Sequence, residues 1–506
     1  MTDDNFIKYI DCTLGIAKWF ILQVILYFLM PYLWNYEYGV GTIVSILLYT
    51  SLYVVCWEFM TKETRIRWML FPYIVYGSIA TFLFYVVDNW SASLWTCWAL
   101  PMYGLICLLV IKLLSKICKR IPNRFGLRGI VKYSAVVLFF IVLKSFSVSY
   151  ISKEHGSFEC EKEDILERRN YLVDKLVASP REVLDEMPAG IGTQFQGEWA
   201  LYSCSMLSAA LVNISQLYPV TKEENLQYID SLIQIVMSPE MRYYDTMRWN
   251  ENPLESLHGD NSHVSYLSHL AWMICGYKEI GGSNKYDKLL FSLCTTMNHR
   301  ILLSKGLNLP TYPEEAIYIP DMLVAIVALE KFADMNHGKY RSTVRKWINK
   351  AKKEWIDEKT GLLVSFVDEN GKLYKDAPVK GSYSALNCYY LTFIDKAFAK
   401  QQHEKLKSLF WKDGFVTGLK EYWDRACPIG LDMDAGPIIL ELSPSGTAFF
   451  AGSSTFFNDT VVRNGILKTA EIAGHTIKMG DKRHYLLANV ALVGEAIMLA
   501  MRTNYK

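Results

Sequence analysis

The sequence predicts an all-α protein in which an N-terminal bundle of about five transmembrane helices precedes an (α/α)6 toroid. Residues 1–151 are mostly apolar and aromatic, whereas residues 152–506 carry the mixed charges of a folded soluble domain. In that second part, apolar helical segments alternate with amphipathic ones. The chain of 506 residues is long enough for more than one domain. Its formal net charge of +2 gives no basis for nucleic acid as a partner.

The N-terminal part contains runs long enough to cross a bilayer core, which takes roughly 20 apolar residues. The five runs cover residues 14–34, 40–60, 68–87, 93–114 and 132–151. A cleaved signal peptide would be shorter and would not be followed by further spans. We therefore predict a transmembrane region over 1–151, with membrane lipid as its partner, and a second domain over 152–506.

Basic residues fix the expected orientation of these spans. Lys62, Arg65 and Arg67 lie between the second and third runs, and a further cluster of Lys and Arg lies between the fourth and fifth. Basic loops stay on the cytoplasmic side of a membrane. We expect a cytoplasmic N-terminus and, after an odd number of spans, a C-terminal domain that is periplasmic or otherwise extracytoplasmic.

The second part predicts twelve helices, because Pro and Gly interrupt the apolar periodicity at regular intervals. The predicted helices cover 162–178, 197–217, 222–237, 262–280, 284–299, 316–335, 338–355, 381–397, 400–410, 434–452, 457–473 and 484–502. Every second one is poor in charge, which is typical of a buried helix, and the others are amphipathic. Six such hairpins predict a toroid with an inner and an outer layer, and an open helical solenoid is the alternative.

The cysteines and motifs of this part predict neither a metal nor a cofactor. Its six cysteines are scattered, without zinc-like spacing, and most lie in apolar helical segments. Buried free thiols are the first interpretation, and one disulfide in an exported domain is the second. The chain contains no P-loop, GxGxxG, EF-hand or nucleophile-elbow motif.

The loops that enter the apolar helices should meet at one end of a toroid, and they carry the polar and aromatic residues. HGDNSHVSYLSH contains Asp260, a helix-cap candidate, followed by His263, Tyr266 and His269 at spacings of three. A His near a carboxylate acts as general acid or base near neutral pH. We predict His269 as catalytic and the other three as binding residues.

Carboxylates in two other loops are the further catalytic candidates. GLDMDAGP supplies Asp432 and Asp434, one of which is expected to cap a helix while the other faces the mouth. TYPEEAIYIPD supplies Asp321, which as a charge on an apolar helix needs a partner, and Glu314 as a binding residue or a cap. Further binding candidates at the helix entrances are Glu198, Trp199 and Tyr383.

Several of these segments resemble linalool dehydratase/isomerase, over most of 195–450. The residues that carry the resemblance are QGEWALYSCSM, SYLSHLAWMICGYKEIGGSNKYDKLL, YRSTVRKWINKAKKEWIDEKTGLL, SYSALNCYYLTF and LDMDAGP. The resemblance implies an (α/α)6 fold, a cofactor-free reaction and an active-site histidine at His269. Two active-site cysteines of the family fall on Thr311 and Pro320 here, so the acid–base role of those thiols is absent in that form.

Three functions are compatible with these residues. The first is a membrane-anchored dehydratase, isomerase or lyase that acts by acid–base catalysis on a hydrophobic or lipid-linked substrate. The second is a glycan hydrolase or polysaccharide lyase, by analogy with other toroid enzymes. The third is a non-catalytic binding or assembly protein on the same fold.

Overall fold

The computed structural model describes residues 158–187, 193–374, 379–414, 416–432, 435–474, 476–485, 488 and 491–505. The five predicted spans, the boundary at residue 151, the predicted orientation and the candidate Asp434 lie outside these residues. Within them, only the segment Phe195–Leu217 is long and apolar enough to cross a membrane, and most of it is buried in the fold. A buried core helix passes the same test, so this segment is weak evidence for a span.

The described residues are mainly helical and form two layers. The six inner helices are α3 (Thr193–Leu217), α6 (Val264–Glu279), α8 (Ile319–Met335), α10 (Gly381–Leu391), α12 (Pro444–Phe456) and α14 (Leu492–Arg502). The outer helices are α1 (Phe158–Leu176), α4 (Lys222–Val236), α7 (Asp287–Leu303), α9 (Arg341–Glu354), α11 (Lys396–Phe410) and α13 (Thr460–Gly474). Two shorter helices, α2 (Pro180–Asp185) and α5 (Pro239–Trp249), lie in the connections.

The inner helices close into a ring. Each packs against the next along the chain, and α14 packs against α3. This last contact distinguishes a toroid from an open solenoid, in which the first and last repeats stay apart.

Burial explains the two layers. In α8, the run Met322–Leu329 is buried on every side, so this helix can lie only inside the ring. In α9, Trp347 and Ile348 are buried while the neighbouring Lys and Arg face solvent, as expected of an outer helix. Buried apolar residues of the inner and outer helices belong to one core cluster.

Short strands interrupt the connections to the inner helices. They are β1 (Ile317–Tyr318), β2 (Phe366–Val367), β3 (Trp411–Lys412), β4 (Gly418–Leu419), β5 (Ile429–Asp432), β6 (Gly436–Ile439), β7 (Thr476–Met479) and β8 (Lys482–Tyr485). β1 pairs with β2, β3 with β4 and β5 with β6, each antiparallel. The predicted starts of the last two inner helices, at 434 and 484, were therefore too early by eight to ten residues.

Four of the six cysteines in the described residues, Cys204, Cys275, Cys294 and Cys388, are buried free thiols, which is the first interpretation of the sequence. Cys160 is exposed and Cys427 is partly buried.

Candidate functional site

All six inner helices begin at the same end of the ring, which we call the mouth. Successive outer and inner helices are joined as hairpins, so the inner helices run parallel to one another. Their first turns meet there: Gly446 of α12 packs against Ser382 of α10. The positive ends of six helix dipoles therefore point towards the mouth, which favours carboxylates in that region.

A group of neutral polar side chains lies below the mouth inside the ring, and we call it the floor: Tyr202, Ser205, His269 and Tyr390. The Nδ1 atom of His269 is 2.6 Å from the Ser205 hydroxyl. The rings of His269 and Tyr202 are edge to face at 5.1 Å, and the Tyr202 and Tyr390 hydroxyls are 3.3 Å apart. Three inner helices, α3, α6 and α10, thus contribute to one cluster.

The surroundings of His269 keep its imidazole neutral. Only 4% of the residue is exposed, and burial lowers its pKa to about 3. Among the described residues, the Ser205 hydroxyl has no other acceptor, so it donates to Nδ1 and leaves the ring hydrogen on Nε2. At neutral pH, His269 is then a hydrogen-bond donor through Nε2 and not a charged acid.

The carboxylate of Asp321 acts electrostatically on the two tyrosines of the floor. It lies in the first turn of α8 and accepts a 2.5 Å hydrogen bond from the hydroxyl of Thr311. Burial raises the pKa of Tyr202 and of Tyr390, and the negative charge of Asp321 raises both further. Both phenols therefore stay protonated beside a carboxylate. Thr311 thus binds Asp321, and Pro320 is buried in the first turn of α8.

A second carboxylate, Glu198 of α3, lies at one side of the mouth. Its Oε2 atom accepts hydrogen bonds from Arg248 and from the hydroxyl of Tyr312, both at 2.9 Å. The guanidinium of Arg248 lies 3.8 Å from the centre of the Tyr312 ring. Burial raises the pKa of Tyr312, and the charges of Glu198 and Asp321 contribute, so both carboxylates lie near this phenol. Trp199 is half-buried and packs against the apolar core.

A third carboxylate, Asp432 of β5, lies at the other side of the mouth. It accepts hydrogen bonds from Lys380 at 3.0 Å and from the Tyr422 hydroxyl at 2.8 Å. It also caps the turn to β6, because its Oδ1 atom accepts the backbone N–H of Ala435 at 3.0 Å. Asp432 thus caps a turn between two strands and not a helix, because the next helix begins at Pro444 with Ser443 as its cap.

His263 belongs to a separate buried cluster next to the mouth. Its Nδ1 atom is 2.5 Å from Asp245 and its Nε2 atom 2.9 Å from Glu251. The residue caps α6 in a left-handed conformation with φ of 49°. His263 therefore fixes the start of the helix that carries His269, and it does not reach the floor.

The remaining candidates have different positions. The Tyr266 hydroxyl donates to the carbonyl of Val236, which is a packing role. Asp260 and Glu314 are exposed. Tyr383 is half-buried at the mouth, where its ring meets those of Tyr318 and Phe366. Among the described residues, no group of three or more His, Cys, Asp and Glu is arranged to hold a metal ion.

The comparisons with known proteins give no family for this chain. No protein-family model matches it, and no curated protein matches its sequence. One similar solved structure is a glycoside hydrolase from family 105 of C. acetobutylicum ATCC 824, at 12% identity and a TM-score of 0.44, covering 59% of this chain and 92% of that one. Another is an unsaturated glucuronyl hydrolase specific for heparin, at 12% identity and a TM-score of 0.44, covering 68% of this chain and 97% of that one. A likeness of this size carries no activity over to the chain.

Proposed function

We propose that the ring domain is a cofactor-independent acid–base enzyme of the hydro-lyase or isomerase class, acting on a substrate that bears a hydroxyl group. The observation that carries this proposal is that the charge of one carboxylate, Asp321, acts on the neutral hydrogen-bonded phenols Tyr202 and Tyr390 of the floor. The resemblance of the sequence to linalool dehydratase/isomerase supports the same class, with a carboxylate and a hydroxyl in place of two thiols.

The proposed reaction uses these groups in a fixed order. The floor donors Tyr202 and His269 hold the oxygen of the leaving hydroxyl group. Asp321 takes a proton from the neighbouring carbon, the C–H electron pair forms the C=C bond, and the C–O bond breaks. The proton on Asp321 then passes to the hydroxide, which leaves as water. A preorganised carboxylate and donors of this kind contribute about 10²- to 10⁴-fold through proton transfer.

The test is mass spectrometry on the full-length protein, purified in detergent and incubated with a pool of terpenols, long-chain alcohols and oligosaccharides. We expect one alcohol to lose one water. Asp321→Asn should slow this loss by about 10²-fold or more, since the amide cannot take up the proton. The matched control is Asp185→Asn, at an exposed aspartate of α2 whose substitution should leave the rate unchanged. Equal rates in Asp321→Asn and the wild type would refute the assignment of Asp321.

A second candidate is a glycan hydrolase or lyase, and one observation favours it. Glu198 accepts a hydrogen bond from Tyr312, and the charges of Glu198 and Asp321 both raise the pKa of this phenol. Most glycosidases use a pair of carboxyl groups that flank the glycosidic bond. In the same experiment, cleavage of an oligosaccharide with addition of water, abolished by Glu198→Gln as well as Asp321→Asn, would assign the hydrolase reaction. Cleavage without water would assign the lyase.

A further inference from the structure

Three half-buried aromatic rings lie together at the mouth, outside the floor, and we call them the aromatic patch: Tyr318, Phe366 and Tyr383. Tyr318 and Phe366 are cross-strand partners in the β1–β2 pair. Side chains alternate between the faces of a strand, so burial of Ile317 and Val367 puts these two rings on the opposite face.

Tyr383, in the first turn of α10, completes the aromatic patch. Ring centroids are 5.1 Å apart for Tyr318 and Phe366, 5.3 Å for Phe366 and Tyr383, and 6.1 Å for Tyr318 and Tyr383. All three pairs are edge to face, so the rings form a surface with faces in different directions. A ligand of several rings can therefore contact more than one of them.

Ion pairs lie on both sides of the patch. On one side, the Lys380 ammonium is 5.7 Å from the Phe366 ring and 5.5 Å from the Tyr383 ring, and it binds Asp432. On the other side, the Tyr312 ring is 6.0 Å from that of Tyr318, and its hydroxyl binds Glu198 next to Arg248. Each side thus presents a cation, a carboxylate and a phenol together.

This arrangement matches the chemistry of a neutral saccharide. The faces of a sugar ring carry C–H groups that pack on aromatic rings, while its edge carries hydroxyls that both donate and accept. An ion pair next to a phenol offers donors and acceptors side by side for such hydroxyls. A bare hydrocarbon chain would cover these ion pairs without hydrogen-bonding to them, which is unfavourable. An anionic ligand would have to compete with Glu198 and Asp432 for Arg248 and Lys380.

We propose that the aromatic patch, with the Lys380–Asp432 and Arg248–Glu198 pairs beside it, binds a neutral saccharide portion of the substrate. This inference rests on the proposed function in one respect: it takes the floor as the place where the substrate reacts. The patch then holds the sugar part while the reacting group lies between Asp321 and the floor. The lipid-linked substrate expected from the sequence would then carry a polyhydroxylated portion.

The test measures binding and not turnover, by saturation-transfer NMR on the full-length protein in a detergent without a sugar headgroup. The probes are neutral hexasaccharides of glucose, mannose, xylose and N-acetylglucosamine, with geraniol and dodecanol as apolar probes. We expect at least one hexasaccharide to bind. Tyr318→Ala and Tyr383→Ala should each weaken that binding about tenfold or more, because a stacking surface is lost.

Two controls separate loss of stacking from loss of folding. Tyr383→Phe retains the ring and should retain binding. Tyr243→Ala removes a tyrosine of α5 that is 53% exposed and is not part of the patch, and should change nothing. Failure of every hexasaccharide to bind, or equal binding in wild type and both alanine variants, would overturn the inference.

Turnover variants distinguish this inference from the proposed function. If Asp321→Asn binds a hexasaccharide as wild type does but no substrate is ever converted, the saccharide site stands and the proposed reaction fails. If an alcohol is dehydrated by the wild type and slowly by Asp321→Asn, but no hexasaccharide binds to either, the reaction stands and the saccharide site is wrong.

Discussion

Glu421 is a buried carboxyl at the mouth that the sequence analysis did not single out. Its side chain is fully buried between the first turns of α10 and α12. It accepts hydrogen bonds from the hydroxyl of Ser382 at 2.8 Å and from the backbone N–H of Ser382 at 3.2 Å. Burial raises its pKa to about 7, against the hydrogen bonds of Ser382 and Ser443, and the charge of Asp432 adds to the rise. Glu421 thus ties two helix entrances together as a carboxyl that titrates near neutrality.

The raised pKa of Glu421 predicts a pH-dependent stability of the ring. Between the ordinary pKa of 4.5 and about 7, the folded state keeps a proton that the unfolded state has lost. The free energy of unfolding therefore falls as pH rises through this window, by about 3 kcal/mol for a shift of this size. Glu421→Gln, which cannot ionise, should lose this fall. The measurement is urea unfolding from pH 5 to 8, followed by tryptophan fluorescence.

The matched control for this pH series is Glu314→Gln, because Glu314 is exposed at the mouth. Its unfolding should follow the wild-type pH dependence. An unchanged pH dependence in Glu421→Gln would mean that Glu421 does not carry the effect.

At the residue scale, the sequence could predict side chains that stand out from their segment. His269 and Asp321 are polar residues in apolar helices, and both lie at the floor or next to it. Tyr202 and Tyr390 could not be singled out, because a tyrosine in an apolar helix is usually a packing residue. The partner of Glu198 could not be found either, because Arg248 lies in a helix that the periodicity did not indicate.

At the element scale, the twelve long helices were predictable because their apolar faces repeat over many turns. The strands of two to four residues were not, since so few residues show no alternation. α5 was also missed, although Ser238 and Pro239 are a helix-start signal, and the Ser238 hydroxyl does accept the N–H of Met241. The missed elements lie in the connections at the mouth, so the sequence described the long helices better than the segments that join them.

Close backbone packing at the start of α10 leads to a prediction about that element. A Cβ atom on Gly381 would lie 2.0 Å from the carbonyl oxygen of Lys420, which is part of the loop that holds Glu421. Gly381→Ala should therefore push α10 from this loop and destabilise the ring by about 1–3 kcal/mol. It should also weaken saccharide binding, since Lys380 and Tyr383 flank Gly381. Urea unfolding and the NMR binding experiment measure the two effects.

Gly494 is the matched control for this glycine. It lies in α14, and a Cβ atom there would meet nothing within 4 Å. Gly494→Ala should be neutral or stabilise the ring by up to about 1 kcal/mol, because alanine is the better helix former. Equal changes in the free energy of unfolding in the two variants would show that the close contact at Gly381 does not determine stability.

At the scale of the whole molecule, buried charges hold the two ends of the ring together. Arg502 of α14 donates to Asp164 at 2.5 Å and to Glu161 at 2.9 Å, both in α1. Arg463 of α13 binds Glu161 through two hydrogen bonds of 2.7 Å. Burial opposes ionisation of Glu161, but its hydrogen bonds to and the charges of Arg463 and Arg502 lower its pKa to about 2. The sequence could predict six hairpins. It could not predict the ion network that joins α1 to α14, because Glu161 and Arg502 are 341 positions apart.

Removal of the Arg502 guanidinium should therefore open the ring at one place. Arg502→Met leaves Asp164 and Glu161 buried with fewer partners, which costs about 3–5 kcal/mol. Hydrogen exchange of the full-length protein should then rise in α1 and in α14 together, while α8 and α10 on the far side of the ring stay protected. Arg345→Met, at an exposed arginine of α9, should leave exchange unchanged. If exchange rises in α14 but not in α1, then this ion network does not close the ring, and apolar packing between α3 and α14 alone must hold it.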